Sequence, residues 1–134
     1  MDTHIPNCFY RLSAKALVLD ETRTKFLLIR ETVGIWDFPG WGLDFWENLQ
    51  EGIIREFKEE TWLEVIWIDK KPCYFVTAYR ENKKFRIANI IYETKLKDLN
   101  FTPSDECQEI RFFTKEEAEK LNLQPNVREF LKRF

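Results

Sequence analysis

Two hydrophobic periods alternate along the chain, and the change from one to the other marks its elements. Residues 12–20 ("LSAKALVLD") and 25–31 ("KFLLIRE") are short apolar-rich runs that read as two strands joined by the polar turn "ETRT". Residues 33–42 ("VGIWDFPGWG") read as a short strand entering a Gly/Pro loop. From Glu47 to Thr61 the period lengthens: Leu49, Ile53 and Phe57 are spaced by four, with Ile54 beside them, and a helix is predicted. Strand patterns return at 63–68, 74–80, 85–96 and 109–113. Thr114 with Glu117 three residues on is a capping-box pattern, so 114–121 opens a helix; 126–134 is a terminal amphipathic helix. No repeat, low-complexity tract or linker breaks the pattern. Strands on both sides of a central helix, then a closing helix, predict one α/β domain over residues 1–134, a sandwich with a mixed β-sheet.

Composition narrows the function. With 134 residues, 44% hydrophobic, and 12 Phe, 5 Trp and 4 Tyr, the chain can bury a single core. No apolar run approaches the roughly 20 residues of a membrane span, and the N-terminus lacks a signal-peptide pattern, so a cytoplasmic protein without a membrane partner is expected. The 21 basic and 23 acidic residues are mixed and the net charge is −2, which argues against binding a nucleic-acid polymer through a broad basic face. Cys8, Cys73 and Cys107 show no metal-ligand spacing and read as reduced thiols. The single histidine, His4, leaves little for a histidine-based mechanism.

The candidate chemistry lies at the end of the central helix. At about 100° per residue, Glu56, Glu59 and Glu60 fall on one side, and Gly52 one turn earlier opens that side to close approach. Arg55 projects about 100° away, on a stripe with Glu47 and Glu51 in the favourable order for helix ion pairs. Acids at the carbonyl end of a helix are disfavoured by roughly 0.3–1 kcal/mol each. A hard divalent cation with oxygen ligands offsets both that cost and the mutual repulsion, Mg²⁺ being usual where phosphates are present. The bland alternative is a solvated acidic face.

Residues 41–63, "WGLDFWENLQEGIIREFKEETWL", resemble the Nudix hydrolase signature G-x5-E-x7-R-E-U-x-E-E-x-G-U. Glu47, Arg55, Glu56, Phe57, Glu59, Glu60 and Leu63 match in register, and "WDFPG" before them looks like the family's lead-in. The resemblance implies the family's α/β/α sandwich and Mg²⁺-dependent hydrolysis of a nucleoside diphosphate linked to another moiety, with Mn²⁺ as a second option. It implies Glu56, Glu59, Glu60 and the Gly40 carbonyl as metal ligands, Arg55 with Glu47 as a brace, and a base within the box or in a later loop, where Glu106 and Glu109 are candidates. The implied partner is a small-molecule nucleotide, bound by a monomer or homodimer. Arg30, Phe38 and Tyr79 are candidate substrate contacts, against strand-end solvation for Arg30 and core filling for Phe38. Tyr79 lies where the family's dinucleoside-polyphosphate branch tends to carry tyrosine, and "WDFPG" resembles enzymes that remove oxidised nucleoside triphosphates. Asn126 is either a base contact or a helix cap.

The sequence departs from the signature at its glycines. Trp41 and Trp62 replace them, and Trp46 stands where family members often carry a third. UGA is read as glycine in some variant codes and tryptophan in others, so a UGA-as-glycine gene translated under the other table would give this pattern; UGG at all three codons would exclude it. With tryptophan present, weakened metal binding and activity are expected, recovered by glycine at all three positions. The alternative function is therefore a catalytically impaired Nudix-fold module that binds a nucleotide.

Overall fold

The computed structural model describes residues 9–40, 42–81 and 83–134. The strands are β1 (Tyr10–Leu17), β2 (Lys25–Arg30), β3 (Trp36–Asp37), β4 (Val65–Ile68), β5 (Tyr74–Arg80), β6 (Phe85–Leu96) and β7 (Glu109–Thr114). The helices are α1 (Leu49–Thr61), α2 (Lys115–Ala118) and α3 (Pro125–Leu131). β6 is the organising strand. It pairs parallel with β1, and antiparallel with β5 along its first half and β4 along its last residues. A second, antiparallel sheet has the order β3-β2-β7.

Alternation along β1 sends Ala14 and Ala16 to one side and Leu17 to the other. The small side meets Ile53 and Phe57 of α1, together with Leu27 and Tyr92. The other side packs Leu17, Val76 and Ile91 against Val127, Phe130 and Leu131 of α3. Phe26, Phe38, Tyr74 and Phe134 surround Phe130, with ring centroids 4.8–5.3 Å apart for the pairs Phe26–Phe130, Phe38–Phe130, Tyr74–Phe130 and Phe130–Phe134. The mixed sheet between two helical layers is the α/β sandwich expected from the pattern, in the α/β/α form that the resemblance implies.

Local signals account for the helix ends. Asn48 caps α1 by accepting from the Glu51 N–H at 2.8 Å, so the helix begins after Glu47, which the spacing had placed inside it. Thr114 and Glu117 form the reciprocal capping box, although α2 stops after one turn. Gln124 rather than Asn126 occupies the cap position of α3, with Pro125 next, which overturns the cap reading of Asn126.

Trp62 follows α1 in the left-handed conformation, φ 63°, its N–H reaching the Lys58 carbonyl at 3.1 Å, while its side chain is exposed. This is the position where glycine is favoured, because a side chain there costs about 1–2 kcal/mol. Trp46 is exposed in a turn and has no positive φ, and Trp41 lies outside the described residues. Trp62→Gly should therefore stabilise the protein by about 1 kcal/mol once the added flexibility of the unfolded chain is subtracted. Urea denaturation checks it, and an unchanged or lower midpoint would remove the strain argument.

Candidate active site

The site assembles where the 42–48 loop, α1 and the 97–108 loop meet. Gly52 lets the first loop close on the helix: a Cβ there would stand 2.4 Å from Leu43 Cδ2 and 3.2 Å from Glu47 Oε1. The loop holds itself in shape through Asp44 N–H to Glu47 Oε1 at 2.9 Å and Glu47 N–H to the Asp44 carbonyl at 3.1 Å. Glu47 is thereby presented to Arg55, whose Nε donates to Glu47 Oε2 at 2.9 Å and whose Nη2 donates to Oε1 at 2.5 Å.

Arg55 does more than brace the loop. Its Nη1 donates to Glu56 Oε1 at 2.7 Å and Glu59 Oε2 at 3.0 Å, and Asp44 lies 3.4 Å from Nε. Glu51, expected on the Arg55 stripe, instead accepts from Asn48 Nδ2 at 2.7 Å and completes the cap. The separation of a bracing face from an acidic face does not hold. The guanidinium fork is long enough to serve both.

Glu56, Glu59 and Glu60 each offer a carboxylate oxygen within 4.8 Å of the others. The 97–108 loop closes over them. The Thr102 N–H donates to the Thr61 carbonyl at 2.9 Å at the end of α1, and Ser104 Oγ donates to Glu60 Oε2 at 3.4 Å. Gln108 N–H to the Arg30 carbonyl, at 2.9 Å, ties the far end of the loop to β2.

The electrostatics differ across the cluster. Hydrogen bonding to Arg55 holds the Glu47 carboxyl down at about 2. Burial pushes Glu56 up, against the pull of Arg55 and with Glu59 and Glu60 adding to the rise. Burial, then the adjacent Glu106 carboxylate, raises Glu60. Burial also pushes the Cys107 thiol, next to Glu60, up to about 12, which keeps it a thiol.

The late-loop candidates therefore separate. Glu106 sits beside Glu60. Glu109 is paired with Arg30 Nε at 3.1 Å and with Arg111. Arg30 spends its remaining reach on Gln108, 3.1 Å from Nη1. Tyr79 is exposed on β5 and lines a shallow cavity with Ile35, Gln124 and Pro125. Phe38 is fully buried against Phe26 and Phe130, so the substrate contact assigned to it is corrected to a core role.

One buried network escaped the sequence reading. Lys15 Nζ donates to Asp37 Oδ2 at 3.1 Å and to the Gly40 carbonyl at 2.5 Å. Asn126 Nδ2 donates to Asp37 Oδ1 at 2.9 Å and Asn89 Oδ1 at 3.0 Å. Gly40 has φ 119°, and a Cβ there would meet the Ala14 carbonyl oxygen at 2.3 Å, so the loop and β1 touch backbone to backbone. The available signal was a polar residue in a core-facing slot: Lys15 two before Leu17, and Asn89 between Ile87 and Ile91.

A cavity of about 400 Å³ opens beside this network, lined by Lys15, Asp37, Arg80 and Asn89 among others. A cleft containing Arg80, Lys83 and Glu106 adjoins it. A larger cavity of about 640 Å³, around Leu19, Arg23, Glu93 and Phe112, contains none of the clustered glutamates.

The fold is a mixed α/β/α sandwich with a carboxylate cluster at the end of its central helix, next to a polar cleft. The NUDIX domain family matches residues 9–134, and the chain belongs to that family. A Bacillus subtilis (strain 168) protein provisionally named 8-oxo-dGTP diphosphatase is 38% identical over 52 residues, which is 39% of this chain and 35% of that protein. The chain thus aligns with about a third of that curated relative's length. The crystal structure of the MutT protein from Methanosarcina mazei Go1 is similar at TM-score 0.78 and 25% identity, covering 95% of this chain and 94% of the other. The NUDIX domain of Shewanella oneidensis NrtR, crystallised with ADP ribose, is similar in fold at TM-score 0.69 and 15% identity, covering 97% and 90%.

Proposed function

We propose that this protein is a divalent-cation-dependent nucleotide diphosphatase, with Mg²⁺ as the working ion and Mn²⁺ able to replace it. The substrate is a nucleoside diphosphate linked to another moiety, an oxidised nucleoside triphosphate or a dinucleoside polyphosphate being the leading types. The carrying observation is the convergence of Glu56, Glu59 and Glu60 within 4.8 Å. Oxygen ligands about 2.1 Å from Mg²⁺ stand up to about 4.2 Å apart across the ion, so small side-chain rotations bring this set to coordination. Membership of the NUDIX family and the likeness to a MutT protein support the same reading.

Glu56, Glu59 and Glu60 would hold the cation. The Gly40 carbonyl already accepts from Lys15, so its use as a further ligand rests on its second lone pair. A bound divalent cation supplies neutralisation of the diphosphate and a lower pKa for a coordinated water. The protein's part is to position those carboxylates and to take up the water's proton. Glu59, with a side chain 54% exposed, and the exposed Glu106 have the solvent access a general base needs. Arg55 fixes Glu56 and Glu59 relative to the loop rather than touching substrate.

Cys73 and Cys107 are free thiols, and no helix among the described residues is long and apolar enough to cross a membrane. Recognition without cleavage is the second reading, favoured by the strained Trp62 at the end of the metal-site helix. A phosphate-release screen over nucleoside triphosphates, ADP-ribose, nucleotide sugars and dinucleoside polyphosphates, with and without Mg²⁺, separates the two. Turnover that needs Mg²⁺ is expected. Binding with no turnover under any condition would establish the module instead.

A further inference from the structure

We infer that Asn89 selects the base, by presenting its amide to the cavity as a hydrogen-bond donor; this rests on the nucleotide reading above. The polarity is set at Asp37. One carboxylate oxygen accepts from Lys15, and the other accepts from the Phe38 N–H at 2.7 Å and Asn126 Nδ2 at 2.9 Å. A carboxylate in an ion pair only accepts, so Asn126 must turn its NH₂ toward it. The same NH₂ reaches Asn89 Oδ1 at 3.0 Å, which fixes the Asn89 oxygen inward and leaves its NH₂ directed elsewhere.

That nitrogen is buried and has no acceptor among the described residues. Asn89 is itself fully buried, and it lines the cavity of about 400 Å³. Arg80 lines the same cavity, and its Nε is likewise buried without an acceptor. Two orphaned donors in one cavity are costly unless a ligand brings acceptors. Ile87 and Phe85 add apolar wall, and the neighbouring cleft carries Arg80 and Lys83 toward Glu106 and so toward Glu60. A nucleotide seated with its base at Asn89 therefore runs its phosphates past two cations to the glutamates. With its 4- or 6-substituent placed at Asn89, the base that satisfies this donor bears a carbonyl oxygen there, where cytosine and adenine bear an amino group. The ligand class is keto-bearing bases of the uracil, hypoxanthine and guanine type.

The test is metal-free titration with nucleoside monophosphates in matched pairs, inosine against adenosine and uridine against cytidine, read by calorimetry. The keto member of each pair should bind at least about tenfold more tightly, since a buried donor left facing an amino group is unpaired. Asn89→Asp keeps an oxygen for Asn126 and replaces the donor, so the preference should fall by about tenfold or reverse. Asn89→Leu should abolish it, with thermal melts confirming that each variant is folded. Equal binding within the pairs by the wild type, or an unchanged preference in folded Asn89→Asp, overturns the inference. Absent monophosphate binding alongside Mg²⁺-dependent hydrolysis in the screen overturns this inference alone. Absence of both removes the nucleotide reading with it.

Discussion

Glu56→Gln should reduce Mg²⁺-dependent turnover by about a thousandfold while leaving the metal-free fold as stable as before, or more so. The two halves of that expectation have one cause. Glu56 lies near the carbonyl end of α1, is 9% exposed, and has Glu59 and Glu60 as neighbours. Burial disfavours its charge, which is why its carboxyl is held above the usual range. Glutamine keeps the shape and can still accept from Arg55 Nη1, now 2.7 Å away, without the charge that the helix end and the other carboxylates resist. What it gives up is one of the three anionic groups proposed to hold the cation. Mg²⁺ should raise the melting temperature of the wild type and not that of the variant, because only a ligand that binds the folded state shifts its stability. Retention of full turnover by a folded Glu56→Gln protein would remove the metal role of this residue. Loss of turnover with marked metal-free destabilisation would instead point to a structural role.

Much of this arrangement was legible in the chain, and the exceptions have physical reasons. Strands β5 and β6 were delimited correctly because alternation and turn residues bound them on both sides. The acidic cluster followed from helical spacing alone, since three positions within five residues leave the geometry little freedom. Glu47 was placed on the helix because a residue eight positions before Arg55 shares its stripe. The actual contact is made by a loop folding back over Gly52, and a one-dimensional period cannot distinguish the two. On sequence alone Phe38 suits either a substrate pocket or the core; it shares its side of the chain with Trp36 and points into the core. The Asp37–Asn126–Asn89 chain joins residues 89 and 37 positions apart, so no local pattern predicts the pairing. Its trace was the exception to alternation: a polar residue where an apolar one belonged.

Arg55→Met should destabilise the protein by about 3 kcal/mol near neutral pH, the larger part through Glu47. The guanidinium is 25% exposed and meets four carboxylates, of which the Glu47 and Glu56 side chains, 11% and 12% exposed, have the least access to water. Methionine fills much of the volume but leaves Glu47 charged, with the Asp44 N–H as its remaining partner, and lets Glu56 and Glu59 repel without an intervening cation. The effect has a defined pH dependence. In the wild type the Glu47 carboxyl is held at about 2, below its ordinary 4.5. The stability it contributes is therefore complete above the ordinary value and is lost as pH falls toward 2. In the variant that contribution is gone, and Glu56, already raised, rises further, so acid relieves the variant by neutralising the stranded carboxylates. The difference between the two proteins should be full above about pH 5 and narrow steadily toward pH 2. Urea denaturation across that range reads it. A gap independent of pH would mean that Arg55 acts through its packing, and the loop would owe its position to Gly52 and Leu43 rather than to charge.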